Sequence, residues 1–293
     1  MKFFNALEAL GPEQFGAASG QDVCRVISFT GAGGKTTALY VLAAELAAVA
    51  GPVVLTTTTA MFAPRASEVD RLVLADEYPV LEGRILQALQ EILAGGVVQA
   101  QAARRALRIM VAAGLHDGGK DRPKLRGIPP DWIDRLSQAL FHHVKYILVE
   151  ADGARGRPLK APGPHEPVIP ASTGLVIPVL GRDAWDKPLT EAYVHRPELV
   201  AQLTGLSRGE RVTAQALVDL FLHPNGLCKG VPPGAAVVPL INKVEDEAGL
   251  AAARELARAV LFGRENIQET NIQGFLLGHV GLPDPVIEWV TIR

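Results

Sequence analysis

The sequence predicts an α/β fold of three layers, with a mostly parallel sheet and one helical insertion. Three observations lead to it. Short β-branched apolar runs recur along the chain, segments of helical period separate them, and the first two runs lie one helix apart, as parallel neighbours require.

The elements follow in order. VCRVISF (residues 23–29) reads as a strand buried on both faces. TTALYVLAAELAAVA (36–50) switches to helical period and stops at Gly51-Pro52, and PVVLTTTT (52–59) reads as the second strand of a parallel crossover unit. RLVLA (71–75) is a third strand. The helix after it places Leu81, Ile85, Leu89 and Ile92 on one face and ends at Gly95-Gly96. PPDWIDRLSQAL (129–140) opens with prolines and an aspartate, as helices do, and VKYILVE (144–150) is a buried strand. TGLVIPVLG (173–181), AAVVPLI (235–241) and GFLLG (274–278) are further strands, and LAAARELARAVLF (250–262) is an amphipathic helix. Strands alternating with helices indicate helices on both sheet faces.

Two segments depart from the alternation. GLHDGGKDRPKLRGIPP (114–130) is rich in glycine, proline and charge, which predicts a mobile surface loop. Residues 195–227 read as two or three helices without a strand, an insertion or lid within a single domain spanning 1–293.

Composition excludes several classes. With 29 basic and 31 acidic residues among 293, bulk electrostatic binding of nucleic acid is not expected. Cys24 and Cys228 form no CxxC, and no histidines stand at metal-ligand spacing, which fits a reducing compartment and disfavours zinc. The N-terminus makes a poor signal peptide, and no window reaches the ~18 apolar residues of a spanning helix. A soluble, cytoplasmic protein without a membrane partner is expected.

The most informative stretch is VISFTGAGGKTTALY (26–40). A helix start carries unpaired N–H groups and partial positive charge, so it attracts anions. Glycines let several of those groups face one phosphate, a lysine adds a full charge, and the next hydroxyl can hold Mg²⁺. Gly31, Ala32, Gly33, Gly34, Lys35, Thr36 and Thr37 supply these parts between strand and helix. The standard loop G-x-x-x-x-G-K-[ST] would begin with glycine where Phe29 stands, so GAGGKTT resembles the shorter loop of Mur-type ligases. The expected fold is therefore P-loop NTPase-like, binding ATP or GTP with Mg²⁺.

Such a cradle predicts carboxylates at a neighbouring strand end. YILVEADG supplies Glu150 and Asp152, so Thr36, Glu150 and Asp152 are the candidate metal residues. Thr56–Thr59 close the second strand at the same sheet edge, where hydroxyls could reach metal or phosphate as readily as merely end a strand. Arg155, Arg157 and Lys160 follow in a proline-stiffened segment, placed to neutralise a transferring phosphoryl group or hold an anionic substrate. His165 with Glu166 is a candidate proton-transfer pair. In PLINKVED, Asn242 and Lys243 match the start of a guanine-reading N-K-x-D, but Glu245 occupies the fourth position and leaves base specificity open.

Three blocks, GAGGKTT with TTTT, VEADGARGRPLKAPGPHEPVIP with HRPE, and INKVED, together resemble the YqeC family, from about Val23 to the end of the chain. The resemblance implies a cytoplasmic accessory protein that assists maturation of a selenium-dependent molybdenum hydroxylase, with that client or its cofactor as partner. It implies no particular reaction. Three readings stay open: an NTPase that hands over a cofactor or remodels a client, a small-molecule kinase or Mur-like ligase using Arg155, Arg157 and Lys160 to hold an acidic acceptor, and a nucleotide-gated binding module without turnover.

Overall fold

Successive apolar residues on the central strands point to opposite faces, and helices cover both. The computed structural model describes residues 1–8, 23–94, 106–116, 122–263 and 271–291. In chain order its strands are β1 Arg25–Gly31, β2 Val53–Thr57, β3 Met61–Phe62, β4 Arg71–Leu74, β5 Arg108–Ala112, β6 Gly114–His116, β7 Lys124–Arg126, β8 Tyr146–Glu150, β9 Leu159–Lys160, β10 Thr173–Gly181, β11 Val194–His195, β12 Ala236–Val237, β13 Leu240–Asn242, β14 Phe275–Gly278 and β15 Val286–Val290. The helices are α1 Phe3–Glu8, α2 Lys35–Ala50, α3 Tyr78–Ala94, α4 Pro130–Ala139, α5 Pro197–Thr204, α6 Ala214–Leu222 and α7 Glu247–Gly263.

The main sheet runs β15-β14-β13-β10-β1-β8-β2-β5-β4, with β12 also paired to β10. Every pairing in it is parallel except β14 with β15. On one face Ile27, Phe29, Leu55, Leu148 and Ile177 join α1 and α2 in a single core. On the other face, Val26, Val54, Ile109 and Ile147 meet Leu81 and Ile85 of α3 and Ile133 and Leu136 of α4. Beside that second core, Leu180, Ile241 and Leu277 meet Phe221 of α6 and Val260 of α7. The expected α/β architecture with a mostly parallel sheet between helices is what the chain forms. Among the described residues no helix is long and apolar enough to cross a membrane.

Several local expectations need correction. The segment 114–130 is not one loop: β6 and β7 pair antiparallel, and β3 pairs β7, forming a small second sheet. Residues 117–121 lie outside the described residues. The run 235–241 divides into β12 and β13, because Pro239 interrupts the ladder. Residues 195–227 begin at β11, which pairs parallel with β9, and then form α5 and α6. Val200, Leu217 and Phe221 of these helices belong to the core under β10 and β13, so this segment covers the sheet. Gly95 and Gly96, named as a helix stop, also lie outside the described residues.

The fold places the glycine stretch at a point where the chain direction diverges. After β1 the chain crosses through α2 to β2 on one side, while β10 flanks β1 on the other. Ligands of open α/β sheets bind beyond the carboxyl ends of strands at such points. Phe275 anchors the core on the β10 side, fully buried and edge-on to Phe221 with ring centroids 5.2 Å apart. Phe275→Ala is expected to lower stability by about 3–5 kcal/mol. Urea unfolding should then give a lower midpoint at unchanged slope, and an unchanged midpoint would refute this core assignment.

Candidate functional site

The turn after β1 is rigid because its glycines are packed on three sides. Gly31, Gly33 and Gly34 have φ of 82°, 89° and 128°, in the left-handed region that disfavours side chains. A Cβ at Gly31 would lie 2.4 Å from the Val179 carbonyl oxygen, and one at Gly33 would lie 2.3 Å from the Gly181 nitrogen. At Gly34 it would lie 2.2 Å from Nδ2 of Asn242. The Ala32 N–H donates to the Val179 carbonyl at 2.7 Å. Asn242 closes the arrangement: its amide donates to the Gly33 carbonyl at 2.7 Å and accepts from the Val280 N–H at 2.9 Å. Gly34 then caps α2 with no side-chain hydrogen bond, so the first-turn N–H groups keep their affinity for an anion.

A line of alternating charges runs beneath this turn. The buried Lys35 ammonium donates to the Gly31 carbonyl at 2.6 Å and lies 3.1 Å from Oδ1 of Asp152. The other Asp152 oxygen accepts from the Gly31 N–H at 3.0 Å and lies 3.0 Å from the Lys160 ammonium. Lys160 also donates to the Gly153 carbonyl and to Glu166, each at 2.7 Å. Glu166 in turn accepts two hydrogen bonds from the Arg196 guanidinium, at 2.5 and 3.0 Å. Burial pushes the Glu166 carboxyl up, but the hydrogen bonds from Arg196 and Lys160 outweigh it and hold the group at about 2.

Glu150 has a different environment. It ends β8, and its Oε2 accepts from the Thr36 hydroxyl at 2.6 Å. Burial raises the Glu150 carboxyl above its ordinary value, against the pull of Lys35 and the Thr36 hydrogen bond. Of the four threonines that close β2, Thr56, Thr57 and Thr58 donate to backbone carbonyls of Val111, Glu150 and Val168. Among the described residues the buried Thr59 hydroxyl has no hydrogen-bond partner, and Thr59 lines the cleft described next.

A cleft of about 610 Å³ opens over the turn. Gly33, Gly34, Lys35, Thr36, Thr37 and Glu150 line its floor, and Arg155, Arg157 and Lys243 line its rim. Asp152, Lys160 and Asn242 are buried outside its lining and hold the groups that form it. Gly31 and Ala32 are likewise buried behind the lining residues. Asp152, proposed from sequence as a metal residue, has both oxygens turned to lysines and acts as their anchor. His165 is exposed and outside the lining, while its expected partner Glu166 is engaged by Lys160 and Arg196. Glu245 is 75% exposed, 3.8 Å from His279 and away from the cleft, and Lys243 pairs with Asp183 at 2.6 Å.

Sequence reasoning overlooked His195 and Arg196 as lining residues, along with Phe62 and Lys124. The stretch HRPE carries a histidine and an arginine thirty positions beyond HEP, but only the β9–β11 pairing, with Lys160 opposite His195, brings the two together. Phe62 lies 47% exposed at the rim with the Lys124 ammonium 5.0 Å from its ring centre. Its partner strand β7 fell within the expected loop.

A family model described as YqeC protein matches residues 27–198. That stretch contains the glycine turn and the whole charge line to Arg196, and ends before Asn242. A protein of Escherichia coli (strain K12), described as uncharacterized protein YqeC, is 33% identical over 255 residues, covering 87% of this chain and 87% of its own.

Removing Lys160 takes one of two cations from each of the buried Asp152 and the half-buried Glu166, leaving them to Lys35 and Arg196 alone. Lys160→Met is expected to lower stability by about 3–5 kcal/mol, measured by urea unfolding at neutral pH. Loss of less than about 1 kcal/mol would mean that Asp152 and Glu166 do not depend on it. Glu166 also predicts a pH dependence. Its depressed carboxyl contributes stability above the ordinary value of 4.5, and that contribution is lost as pH falls toward about 2. Between those limits Glu166→Gln should flatten the decline of melting temperature with acid, whereas parallel curves for variant and parent would exclude the assignment.

Proposed function

The chain belongs to the YqeC family, and on that premise we propose that it is a P-loop NTPase-like protein that binds a nucleoside triphosphate with Mg²⁺ and turns it over. One observation carries the reading: three closely packed glycines lead into an uncapped helix whose first residue, Lys35, holds its ammonium at the loop itself. Backbone N–H groups fixed in this way, plus one full positive charge, suit the terminal phosphates of ATP or GTP. A flexible turn with a solvated lysine would show none of this packing.

The donor set also fits Mg²⁺. Thr36 and Glu150 offer two hard oxygen donors 2.6 Å apart beside the cradle. The buried Glu150 carboxyl is held above its ordinary value, so a nearby cation would stabilise its charged form. Mg²⁺ bound there would neutralise phosphate charge. Asn242 is occupied in clamping Gly33 and Glu245 is turned to solvent, so neither favours GTP over ATP.

Hydrolysis in service of a client is the first reading, and the role in maturing a selenium-dependent molybdenum hydroxylase rests on the resemblance of sequence blocks alone. A second reading, transfer of a phosphoryl group to an anionic acceptor, is favoured by a specific observation. Among the described residues, the guanidinium groups of Arg155 and Arg157 at the cleft rim make no hydrogen bond or ion pair. A nucleotide-gated module without turnover remains the outcome if no phosphate is released.

Phosphate release from Mg·ATP and Mg·GTP, with and without acidic acceptors, separates these readings. Lys35→Ala is expected to weaken triphosphate binding by ~1.5–3 kcal/mol, and unchanged affinity in a folded variant would remove the cradle assignment. Glu150→Gln is expected to abolish Mg²⁺-dependent turnover while leaving the melting temperature at neutral pH equal or higher, because it removes a buried carboxylate stabilised poorly by its surroundings. Retained turnover, or a clear fall in melting temperature, would count against that role.

A further inference from the structure

The cleft continues into a second hollow of about 310 Å³, and Arg155, Arg157, His195 and Arg196 line both. The size lies within the range of small-molecule sites. Its walls come from two segments far apart in sequence. The parallel β9–β11 ladder sets Lys160 opposite His195, so the turn before β9 and the residue after β11 face one another.

Three features distinguish this hollow from an ordinary polar surface. Arg157 is half-buried, yet neither its guanidinium nor that of the exposed Arg155 makes a hydrogen bond or ion pair among the described residues. Two guanidinium groups that line one hollow with no hydrogen-bonded counter-charge are free to clamp an anion between them. The backbone there is strained as well: Arg155 has φ 49° and Arg196 φ 61°, neither being glycine. Such strain persists only where surroundings enforce it, and it concentrates at ligand clamps. Finally, acidic groups near the two arginines are partly taken up by other cations. Glu191 pairs with Arg208, Glu166 pairs with Arg196 and Lys160, and Glu198 is the remaining carboxylate of the lining.

We infer that this second hollow is the binding site for the anionic end of a small-molecule second substrate, a phosphate or carboxylate clamped by Arg155 and Arg157 beside His195. The inference deepens the transfer reading above and rests on it for its purpose. The site meets the cradle's cleft along the shared arginines, so an acceptor held here faces the same space as the nucleotide. The burial of His195, together with the charges of Arg196, Lys160 and Arg155, lowers its imidazole below the ordinary value. At neutral pH the ring adds no further charge and reports the arrival of an anion nearby.

The test uses the full chain with isotope-labelled histidine, His195 being assigned with His195→Gln. Inorganic phosphate and succinate are titrated separately at constant ionic strength, and the His195 resonances are followed in the parent, in Lys35→Ala and in the double variant Arg155→Gln/Arg157→Gln. At least one probe should shift His195 saturably. Its apparent Kd should stay within a factor of about two in Lys35→Ala, as for independent sites. The double variant, whose side chains have no partner to lose, should weaken it by about tenfold or more. Which probe binds identifies the oxyanion as phosphate or carboxylate. Absence of saturable shifts with both probes, or an undiminished response in the double variant, overturns the proposal. A response lost in Lys35→Ala but kept in the double variant also overturns it, by placing the anion on the cradle and leaving the nucleotide reading intact. Conversely, a supported second site combined with triphosphate binding that ignores Lys35→Ala would remove the cradle alone.

Discussion

The site depends on one buried carboxylate. Asp152 is fully enclosed, and a lone carboxylate there would be strongly unfavourable, so the chain must deliver positive charge to it. Lys35 and Lys160 do so from opposite sides, and the Gly31 N–H supplies a hydrogen bond. This requirement fixes the positions of three separate segments. The register of β1 with β8 sets Phe29 opposite Glu150, so the chain emerging two residues later brings Asp152 beneath Gly31. Lys35 then has to fold back over the turn, and Lys160 has to approach from β9. Replacing the cluster with apolar side chains would do as well for stability. What it would lose is an ammonium group placed at the loop.

The line of charges continues beyond Asp152 through Lys160 and Glu166 to Arg196 at the rim. Each inner member has a neighbour of opposite sign on either side, which is how several ionised groups can share a poorly solvated region. The two carboxylates nearest this region consequently behave in opposite ways. Glu166, contacted by two cations, is held ionised to low pH, whereas Glu150, with a hydroxyl as its hydrogen-bond partner and only distant positive charge, is pushed up by burial. Environment rather than residue type separates a carboxylate held ionised from one whose charged form burial disfavours.

Much of the sheet was legible because buried parallel strands read as apolar runs. TGLVIPVLG became β10 over the expected residues, and the alternation of VISF and YILV between two cores is visible in the letters. Two strands escaped. RIMVA forms β5, a short run that carries no alternation of its own, and PVIEWV contains β15, an edge strand whose outward residues dilute the apolar signal. The boundary of β1 also moved forward to Gly31, because pairing of Gly31 with Val179 extends the ladder into the turn. The small β3-β7-β6 sheet was illegible for a different reason. Its strands are only two or three residues long, too short to show a period, and β3 exists through pairing with β7 across about sixty residues that no local pattern encodes. The same limit hid Arg196 and His195: their chemistry was plain, but their position depended on β9 meeting β11.

The glycines connect the cradle to the rest of the site. Gly33 packs so tightly against Gly181 and the Pro158 carbonyl that a methyl group could not enter, and the Gly181 N–H itself donates to that carbonyl at 2.9 Å. Pro158 immediately precedes β9 and follows Arg157. The glycine turn and the segment that carries the rim arginines therefore share one contact made entirely of backbone and a fixed ring. Such a contact has no rotamers through which it can relax. Displacement of either segment must be felt by the other, along with Lys160, which the same strand holds against Asp152. The cradle, the buried charge line and the arginine rim are thus held in one fixed relative arrangement before any ligand arrives.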